Sequence, residues 1–87
     1  MSNFNWRIFK ELNPELVNAG LNSESQLTMY WNKYGYKENR KTKVTDITPD
    51  FNWKTYKDLN PDLQFKNPSE YELHWIRHGI KEKRFYN

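Results

Sequence analysis

Two histidines near the end of the chain have a spacing that could serve a metal ion. His74 and His78 are four residues apart, so a helix would place them on one face, and Glu70 lies one turn earlier. A related segment earlier in the chain has a glutamine and two tyrosines at the matching positions. We therefore interpret the histidines as flat, half-polar replacements for tyrosine, and we predict neither a metal ion nor any other cofactor.

The remaining reactive side chains are better explained as parts of helix ends than as catalytic groups. The chain has no cysteine, and its three glycines form no phosphate-binding loop. Two acidic pairs, Glu11 with Glu15 and Asp58 with Asp62, lie on or beside predicted helix starts. A carboxylate there satisfies backbone N–H groups and the helix dipole. We predict no catalytic residue and therefore no enzyme.

Two arginines end charged segments of related sequence. Arg40 ends the segment Lys-Glu-Asn-Arg, and Arg84 ends the segment Lys-Glu-Lys-Arg. A cation just past the end of a helix interacts favourably with the last carbonyl groups of that helix, and arginine can bind a carboxylate through two hydrogen bonds. We predict that Arg40 and Arg84 bind back to the acidic residues Glu15 and Asp62. The alternatives are a cation that contacts a ligand and a cation that is simply solvated.

A helix is predicted before each of the two charged segments. Ser23 with Gln26, and Asn67 with Glu70, have the capping-box spacing of a helix start. Apolar and aromatic residues then recur at i, i+3, i+4 and i+7, the pattern of a helix face packed against a core. These residues are Leu27, Tyr30, Trp31 and Tyr34 in the first helix and Tyr71, His74, Trp75 and His78 in the second.

Glycine is predicted to end both of these helices. Gly35 and Gly79 each come four residues after a tryptophan, Trp31 or Trp75. A glycine just past a helix can adopt the left-handed conformation of a Schellman ending, and the following residue then packs back on the helix. We expect that following residue to contact the tryptophan in both cases.

Shorter helices are predicted upstream in both halves. Asn5 and Asn52 have the side chain of an N-cap, so the helices should cover roughly 6–12 and 53–59. Each helix must stop before a proline, because the residue before proline avoids the helical conformation.

The asparagines before those prolines, Asn13 and Asn60, are predicted to end one helix and cap the next. The second helix has one or two turns, and Gly20 should end it in the first half. The second half is three residues shorter here, and we expect its remaining residues to form only a 3₁₀-like turn.

The chain is a tandem repeat at the level of sequence. Residues 4–16 and 51–63 are identical at eight of thirteen positions, and residues 23–40 match 67–84. Such recurrence is typical of a supersecondary unit that buries its apolar face on a neighbour. We predict an all-α fold with two tandem copies of a short three-helix repeat packed into a single small domain, 1–87.

The boundaries of the repeats follow from this match. Repeat one covers 4–40, a polar connector covers 41–50, and repeat two covers 51–87. Val44 and Ile47 are the apolar residues that could attach the connector to a core. Because a repeat of under forty residues buries few side chains for the entropy it loses, we expect neither repeat to fold alone. The expected shared core contains the four tryptophans Trp6, Trp31, Trp53 and Trp75.

Composition excludes some classes of protein and leaves others open. Aromatic residues make up 17% of the chain, the net charge is +3, and no disulfide can form. No basic-then-apolar signal and no apolar run of spanning length is present, so no membrane association is expected. If the sequence is the whole protein, we expect a soluble intracellular protein, cytoplasmic or viral; if it is part of a longer chain, its location stays open.

The two repeated motifs resemble a known group of short repeats. The pattern Phe-Asn-Trp-x-x-Phe/Tyr-x-x-Leu-Asn-Pro-Asp/Glu-Leu, followed by Trp-x-x-Tyr/His-Gly-x-x-Glu-x-Arg, is similar to repeats of giant-virus and bacterial proteins. Such repeats often accompany glycosyltransferase or other surface-glycan domains. The resemblance covers nearly all of 4–40 and 51–87 and implies an accessory, non-catalytic module. It carries over no binding residue.

Three functions follow from these observations. We favour a non-catalytic helical repeat module that binds a protein partner or itself, accessory to a larger system. The first alternative is a glycan-binding accessory that uses exposed tryptophan rings as stacking surfaces. The second alternative, a weak nucleic-acid binder, is disfavoured because the net positive charge is small. The candidate contact residues are Arg77, Lys81, Lys83 and Arg84.

Overall fold

Helices and turns make up the described chain, with no β-strand in residues 4–87, the part that the computed structural model describes. The predicted all-α class is therefore confirmed. None of these helices combines the length and the apolar character that crossing a membrane requires. The chain divides into two compact units, residues 4–43 and Val44–Asn87, here called unit 1 and unit 2.

The two units have their helices in a similar order. Unit 1 contains α1 (Trp6–Leu12), α2 (Pro14–Asn18) and α3 (Glu24–Tyr30), and α3 continues as a π-helical segment, π1 (Trp31–Gly35). Unit 2 contains a 3₁₀ turn (Val44–Asp46), α4 (Trp53–Leu59), α5 (Pro68–His74), a second π-helical segment, π2 (Trp75–Gly79), and α6 (Ile80–Glu82).

Asparagine caps start the first long helix of each unit, as predicted. The Asn5 side-chain oxygen accepts hydrogen bonds from the backbone N–H groups of the second and third residues of α1, at 3.0 and 3.2 Å. Asn52 accepts the equivalent pair at the start of α4, at 2.9 and 3.4 Å. The predicted ranges 6–12 and 53–59 are thus confirmed.

The units differ where the second helix was predicted. In unit 1, α2 ends at Gly20, whose φ of 95° is left-handed. The Leu21 N–H binds the Leu16 carbonyl at 3.0 Å, which closes a Schellman ending. In unit 2, which has three residues fewer, the chain makes a single turn after Asn60 instead of a helix. The Leu63 N–H donates to the Asn60 carbonyl at 2.9 Å, the i→i+3 bond of the predicted 3₁₀-like turn.

Neither Gly35 nor Gly79 has the left-handed conformation that the predicted Schellman endings require. Gly35 is the last residue of π1 and is followed by a turn, whereas Gly79 is the last residue of π2 and is followed directly by α6. The left-handed residues are Asn39 and Lys83, with φ of 55° and 56°. A backbone hydrogen bond follows each of these residues: the Arg40 N–H donates to the Gly35 carbonyl at 3.2 Å, and the Arg84 N–H donates to the Gly79 carbonyl at 3.0 Å.

Close packing, rather than chain reversal, explains these two glycines. A Cβ atom on Gly35 would lie 2.6 Å from Cε3 of Trp31. A Cβ atom on Gly79 would lie 2.6 Å from Cε3 of Trp75 and would also collide with the Tyr56 hydroxyl. The indole therefore lies directly on the helix backbone, which only glycine permits.

The π-helical segments also change which side chains are buried. A π turn closes i→i+5 hydrogen bonds, so the residue three positions after the tryptophan no longer returns to the packed face. Of the predicted apolar face, Leu27, Tyr71 and Trp75 are buried, Tyr30, Trp31 and His74 are half-buried, and Tyr34 and His78 are exposed.

Each unit has a buried cluster of its own. In unit 1 the cluster is Phe9, Leu16 and Leu27, with Phe4 and Trp31 packed against it. In unit 2 the cluster is Val44, Phe51, Tyr56, Tyr71 and Trp75. Two of the tryptophans pack within their own units, since Trp31 and Trp75 stack on Phe4 and Phe51. A core shared between the units stays a prediction.

The predicted connector 41–50 is divided between the units. Val44 is 3% exposed and belongs to the core of unit 2, while Ile47 is half-buried. Thr48 is also buried, and its hydroxyl oxygen accepts a 2.9 Å hydrogen bond from the Trp75 indole N–H. These contacts explain why the division falls at residue 44 rather than at the start of the second sequence match.

Candidate functional site

An arginine in each unit binds the acidic residue that the sequence predicts for it. Arg40 Nη1 lies 2.8 Å from Glu15 Oε2, and Arg84 Nη2 lies 2.9 Å from Asp62 Oδ2. The Nε atom of each arginine also binds the glutamate two residues earlier, Glu38 at 2.6 Å in unit 1. Since Arg40 and Arg84 are held by carboxylates in both units, their main role is structural.

A buried asparagine completes each arginine site, and this role was missed by the sequence analysis. Arg40 Nη1 donates to Asn13 Oδ1 at 3.1 Å, and Arg84 Nη1 donates to Asn60 Oδ1 at 3.0 Å. Asn60 Nδ2 in turn donates to the carbonyl oxygens of Tyr56 and Phe85, both at 2.8 Å. We call each Asn–Arg–carboxylate group a clasp: Asn13, Arg40 and Glu15 in unit 1, and Asn60, Arg84 and Asp62 in unit 2.

The asparagine of unit 1 makes the same set of bonds. Asn13 Nδ2 donates to the carbonyl oxygens of Phe9 and Lys41, both at 2.9 Å. It makes no side-chain cap to α2, so the predicted capping role is wrong. The clasp joins the end of the first helix to the extended residue that follows the arginine. The Asn-Pro sequence shared by both halves, together with the shared arginine, is the signal that could have found it.

The electrostatics of the clasps keep their acids ionised. Hydrogen bonds from Arg84 lower the pKa of Asp62 and of Glu82, and hydrogen bonds from Arg40 and Tyr30 lower the pKa of Glu38. The pKa of Glu15 is lowered by its own backbone N–H and then by Arg40. A carboxylate stabilised in this way is a poor general acid.

The histidine pair has a different environment from a metal site. His74 Nδ1 lies 2.8 Å from the hydroxyl of the fully buried Tyr56. Burial lowers the pKa of His74 and raises the pKa of Tyr56 to about 12, so both side chains are neutral near pH 7. The His74 and His78 ring centroids are 5.4 Å apart. In the described part of the chain, no three His, Asp or Glu side chains are grouped to hold a metal ion.

The four tryptophans differ in exposure. Trp75 is buried, at 6% exposed, whereas Trp6, Trp31 and Trp53 are half-buried. The Arg7 guanidinium lies 5.5 Å from the centre of the Trp6 ring, and Lys54 Nζ lies 5.9 Å from that of Trp53. The indoles of α1 and α4 are therefore partly covered by cations from their own helices.

Large apolar side chains remain exposed beside the π-helical segments. Tyr36 and Ile80 directly follow π1 and π2, are equivalent in the two halves, and are 53% and 44% exposed. The ring centroids of Trp31 and Tyr36 are 6.4 Å apart, which agrees with the expected contact. Other exposed apolar side chains are Met29, Tyr34, Leu59 and Phe85.

The predicted basic group is only partly available for contacts. Arg77, Lys81 and Lys83 are exposed, but Arg84 is held in its clasp. Lys83 adopts the left-handed conformation that ends α6, so its backbone has a structural role as well.

Comparison with known proteins adds no relative. No protein-family model, no curated protein and no solved structure matches this chain.

Proposed function

We propose that this chain is a non-catalytic helical module, formed by two copies of a related unit, that binds a protein partner or a second copy of itself as an accessory to a larger system. The observation that carries the proposal is the equivalent pair Tyr36 and Ile80. Both side chains are large, exposed and apolar, and both directly follow a π-helical segment. Tyrosine is enriched at protein interfaces, and the buried centre of an interface is more apolar than the rest of the surface, so both side chains suit such a contact.

The clasps support this proposal because, within each unit, they hold the chain close to the exposed side chain. Arg40 and Arg84 fix the chain four residues after Tyr36 and Ile80, and the tryptophan of each π-helical segment lies in or against a core. An exposed apolar side chain on a rigid support loses little entropy on binding. The structural role of Arg84 counts against the nucleic-acid alternative, since it removes one of the four candidate cations.

Sedimentation velocity over a range of protein concentrations tests the self-association form of the proposal. We expect the mass of the wild-type chain to rise with concentration, and the double variant Tyr36→Ser/Ile80→Ser to stay monomeric. The exposed control Glu24→Ser should associate like the wild type. A constant monomer mass for the wild type would exclude self-association and leave a different protein as the partner.

A further inference from the structure

A groove in unit 2 has the size of a ligand site. Its volume is about 480 Å³, and its walls are formed by the end of α4 and by the segment that leads to α5. This volume lies within the range of about 300–1,000 Å³ that is usual for small-molecule clefts. The lining includes Lys57, Asp58, Pro61, Gln64, Phe65 and Tyr71.

The groove exists because unit 2 lacks a counterpart of α2. In unit 1, α2 occupies the space after the Asn-Pro pair, and the related cavity is smaller, about 260 Å³, with Val17 and Asn18 of α2 in its wall. In unit 2 a three-residue shorter chain crosses the same region as a turn and an irregular segment. The difference between the two sequences therefore opens a larger space.

Aromatic residues line the opened space where unit 1 has aliphatic ones. Tyr71 replaces Leu27 in the matched segments, and Phe65 lies two residues before the second matched segment, as Leu21 does before the first. The Phe65 and Tyr71 ring centroids are 5.0 Å apart in an edge-to-face arrangement. The Tyr71 hydroxyl oxygen accepts a 3.1 Å hydrogen bond from the Phe65 N–H, which fixes both residues. Because Tyr71 is buried and Phe65 half-buried, the Phe65 ring is the aromatic surface of the groove, and Tyr71 supports it from the core.

The polar wall of the groove is balanced in charge. Lys57 and Asp58 are adjacent, exposed and of opposite sign, and Gln64 adds a neutral amide. A pair of cancelling charges gives no advantage to a strongly anionic or cationic ligand, but its members still offer hydrogen-bond donors and acceptors. The ligand that fits is neutral, with several polar groups and one apolar face.

We infer that this groove binds a neutral saccharide. A sugar ring offers a face of C–H groups, which the negative face of the Phe65 ring attracts, and hydroxyls that can pair with Lys57, Asp58 and Gln64. A proline-rich peptide fits less well, because its recognition needs aromatic side chains whose N–H or O–H points outward, and the Tyr71 hydroxyl is already engaged. The site is separate from Tyr36 and Ile80 and does not depend on the proposed protein interaction.

Two-dimensional NMR of the full 87-residue chain, titrated with glucose, galactose, mannose and N-acetylglucosamine, tests the inference. For at least one sugar we expect saturable shifts of the Lys57, Gln64 and Phe65 amide signals, while the Lys10 and Leu21 signals of unit 1 stay in place. The variant Phe65→Leu, which introduces the unit 1 residue, should abolish the shifts and keep the dispersed spectrum of the folded chain. The variant Asp58→Asn should weaken binding at least several-fold.

Other outcomes would overturn the inference. The absence of shifts with all four sugars would do so, as would equal shifts in the two units. Tighter binding of glucose 6-phosphate than of glucose would contradict the charge-balance argument. Saturable binding of a proline-rich peptide in place of the sugars would assign the groove to peptide recognition.

Discussion

At the scale of single residues, the clasps explain why an asparagine and an arginine recur at equivalent positions of the two halves. Asn60 binds one carbonyl of α4, one carbonyl of the C-terminal segment and the Arg84 guanidinium, so its side chain is fully used. Sequence patterns predicted the ion pairs of Arg40 and Arg84, because opposite charges near helix ends are readable from spacing. Sequence patterns did not predict that Asn13 and Asn60 bind these arginines, because an asparagine buried in the fold and an asparagine that caps a helix look the same in a sequence.

The substitution Asn60→Ala should destabilise unit 2. It removes the donor to two carbonyl groups and an acceptor of Arg84, and an unsatisfied buried polar group costs about 1–3 kcal/mol. A thermal unfolding scan should show a lower Tm, by roughly 4–8 °C for each kcal/mol in a domain of this size. The exposed control Asn18→Ala should change the free energy of unfolding by less than about 0.5 kcal/mol. Equal Tm values for Asn60→Ala and the control would contradict the clasp.

The pH dependence of the free energy of unfolding should report the protonation of His74. Its pKa is lowered by burial, so the folded state favours the neutral ring, and this contribution is present above the ordinary pKa near 6.5. The free energy of unfolding should therefore decrease as the pH falls from 7 to 5. The variant His74→Tyr, which has the residue of unit 1, should lose less stability over this interval.

Other titrating groups act in both proteins. Glu72, whose pKa is raised by burial, acts in the opposite direction near pH 5. Asp62 and Glu82, whose pKa values are lowered first by Arg84 and also by His74, contribute to a loss only at lower pH. Denaturant unfolding at several pH values measures the difference between wild type and variant. A difference that does not change between pH 7 and 5 would show that His74 does not titrate there.

At the scale of elements, the π-helical segments are the feature that sequence reasoning could not supply. The pattern Trp-x-x-x-Gly predicts a left-handed glycine at a helix end, because glycine after an apolar helix face usually has that role. In the structure each glycine instead leaves room for the indole by lacking a Cβ atom, and the left-handed residues are Asn39 and Lys83. Hydrogen-bond caps were predictable from local chemistry, whereas the position of an indole on its own helix depends on the surrounding core.

The substitution Gly79→Ala should therefore destabilise the fold, although alanine is the better helix former by about 1 kcal/mol. The added methyl group collides with Trp75 and the Tyr56 hydroxyl, and overpacking of this kind costs about 1–3 kcal/mol. Gly35→Ala is the matched comparison, with only Trp31 close to the added atom, so its effect should be smaller. Denaturant midpoints of both variants measure this order, and stabilisation by Gly79→Ala would contradict the packing argument.

At the scale of the whole chain, each unit has a buried cluster of its own. The sequence indicated which side chains are apolar but could not show which of them pack together. Phe9 and Tyr56 occupy equivalent positions, are both fully buried, and belong to different clusters. Val44 and Thr48, from the predicted connector, complete the cluster of unit 2.

The substitution Phe9→Ala should affect the two units unequally. Truncation of a buried phenylalanine costs about 3–5 kcal/mol, and the cluster around Phe9 consists of unit 1 residues. Amide hydrogen exchange should lose protection in α1 and α3 and retain it in α4 and α5, as expected for separate cooperative units. Equal loss of protection in both units would show that the chain unfolds as one body.

The proposed interaction rests on Tyr36 and Ile80, and site-specific photo-crosslinking tests it most directly. A photoreactive phenylalanine analogue is placed at position 36 or 80 of the full chain, and at exposed Glu24 as the control. We predict that positions 36 and 80 give the same protein adduct, either a dimer of this chain or one complex of fixed mass, and that position 24 gives none. Adducts of equal yield at all three positions, or no adduct at positions 36 and 80, would contradict the account.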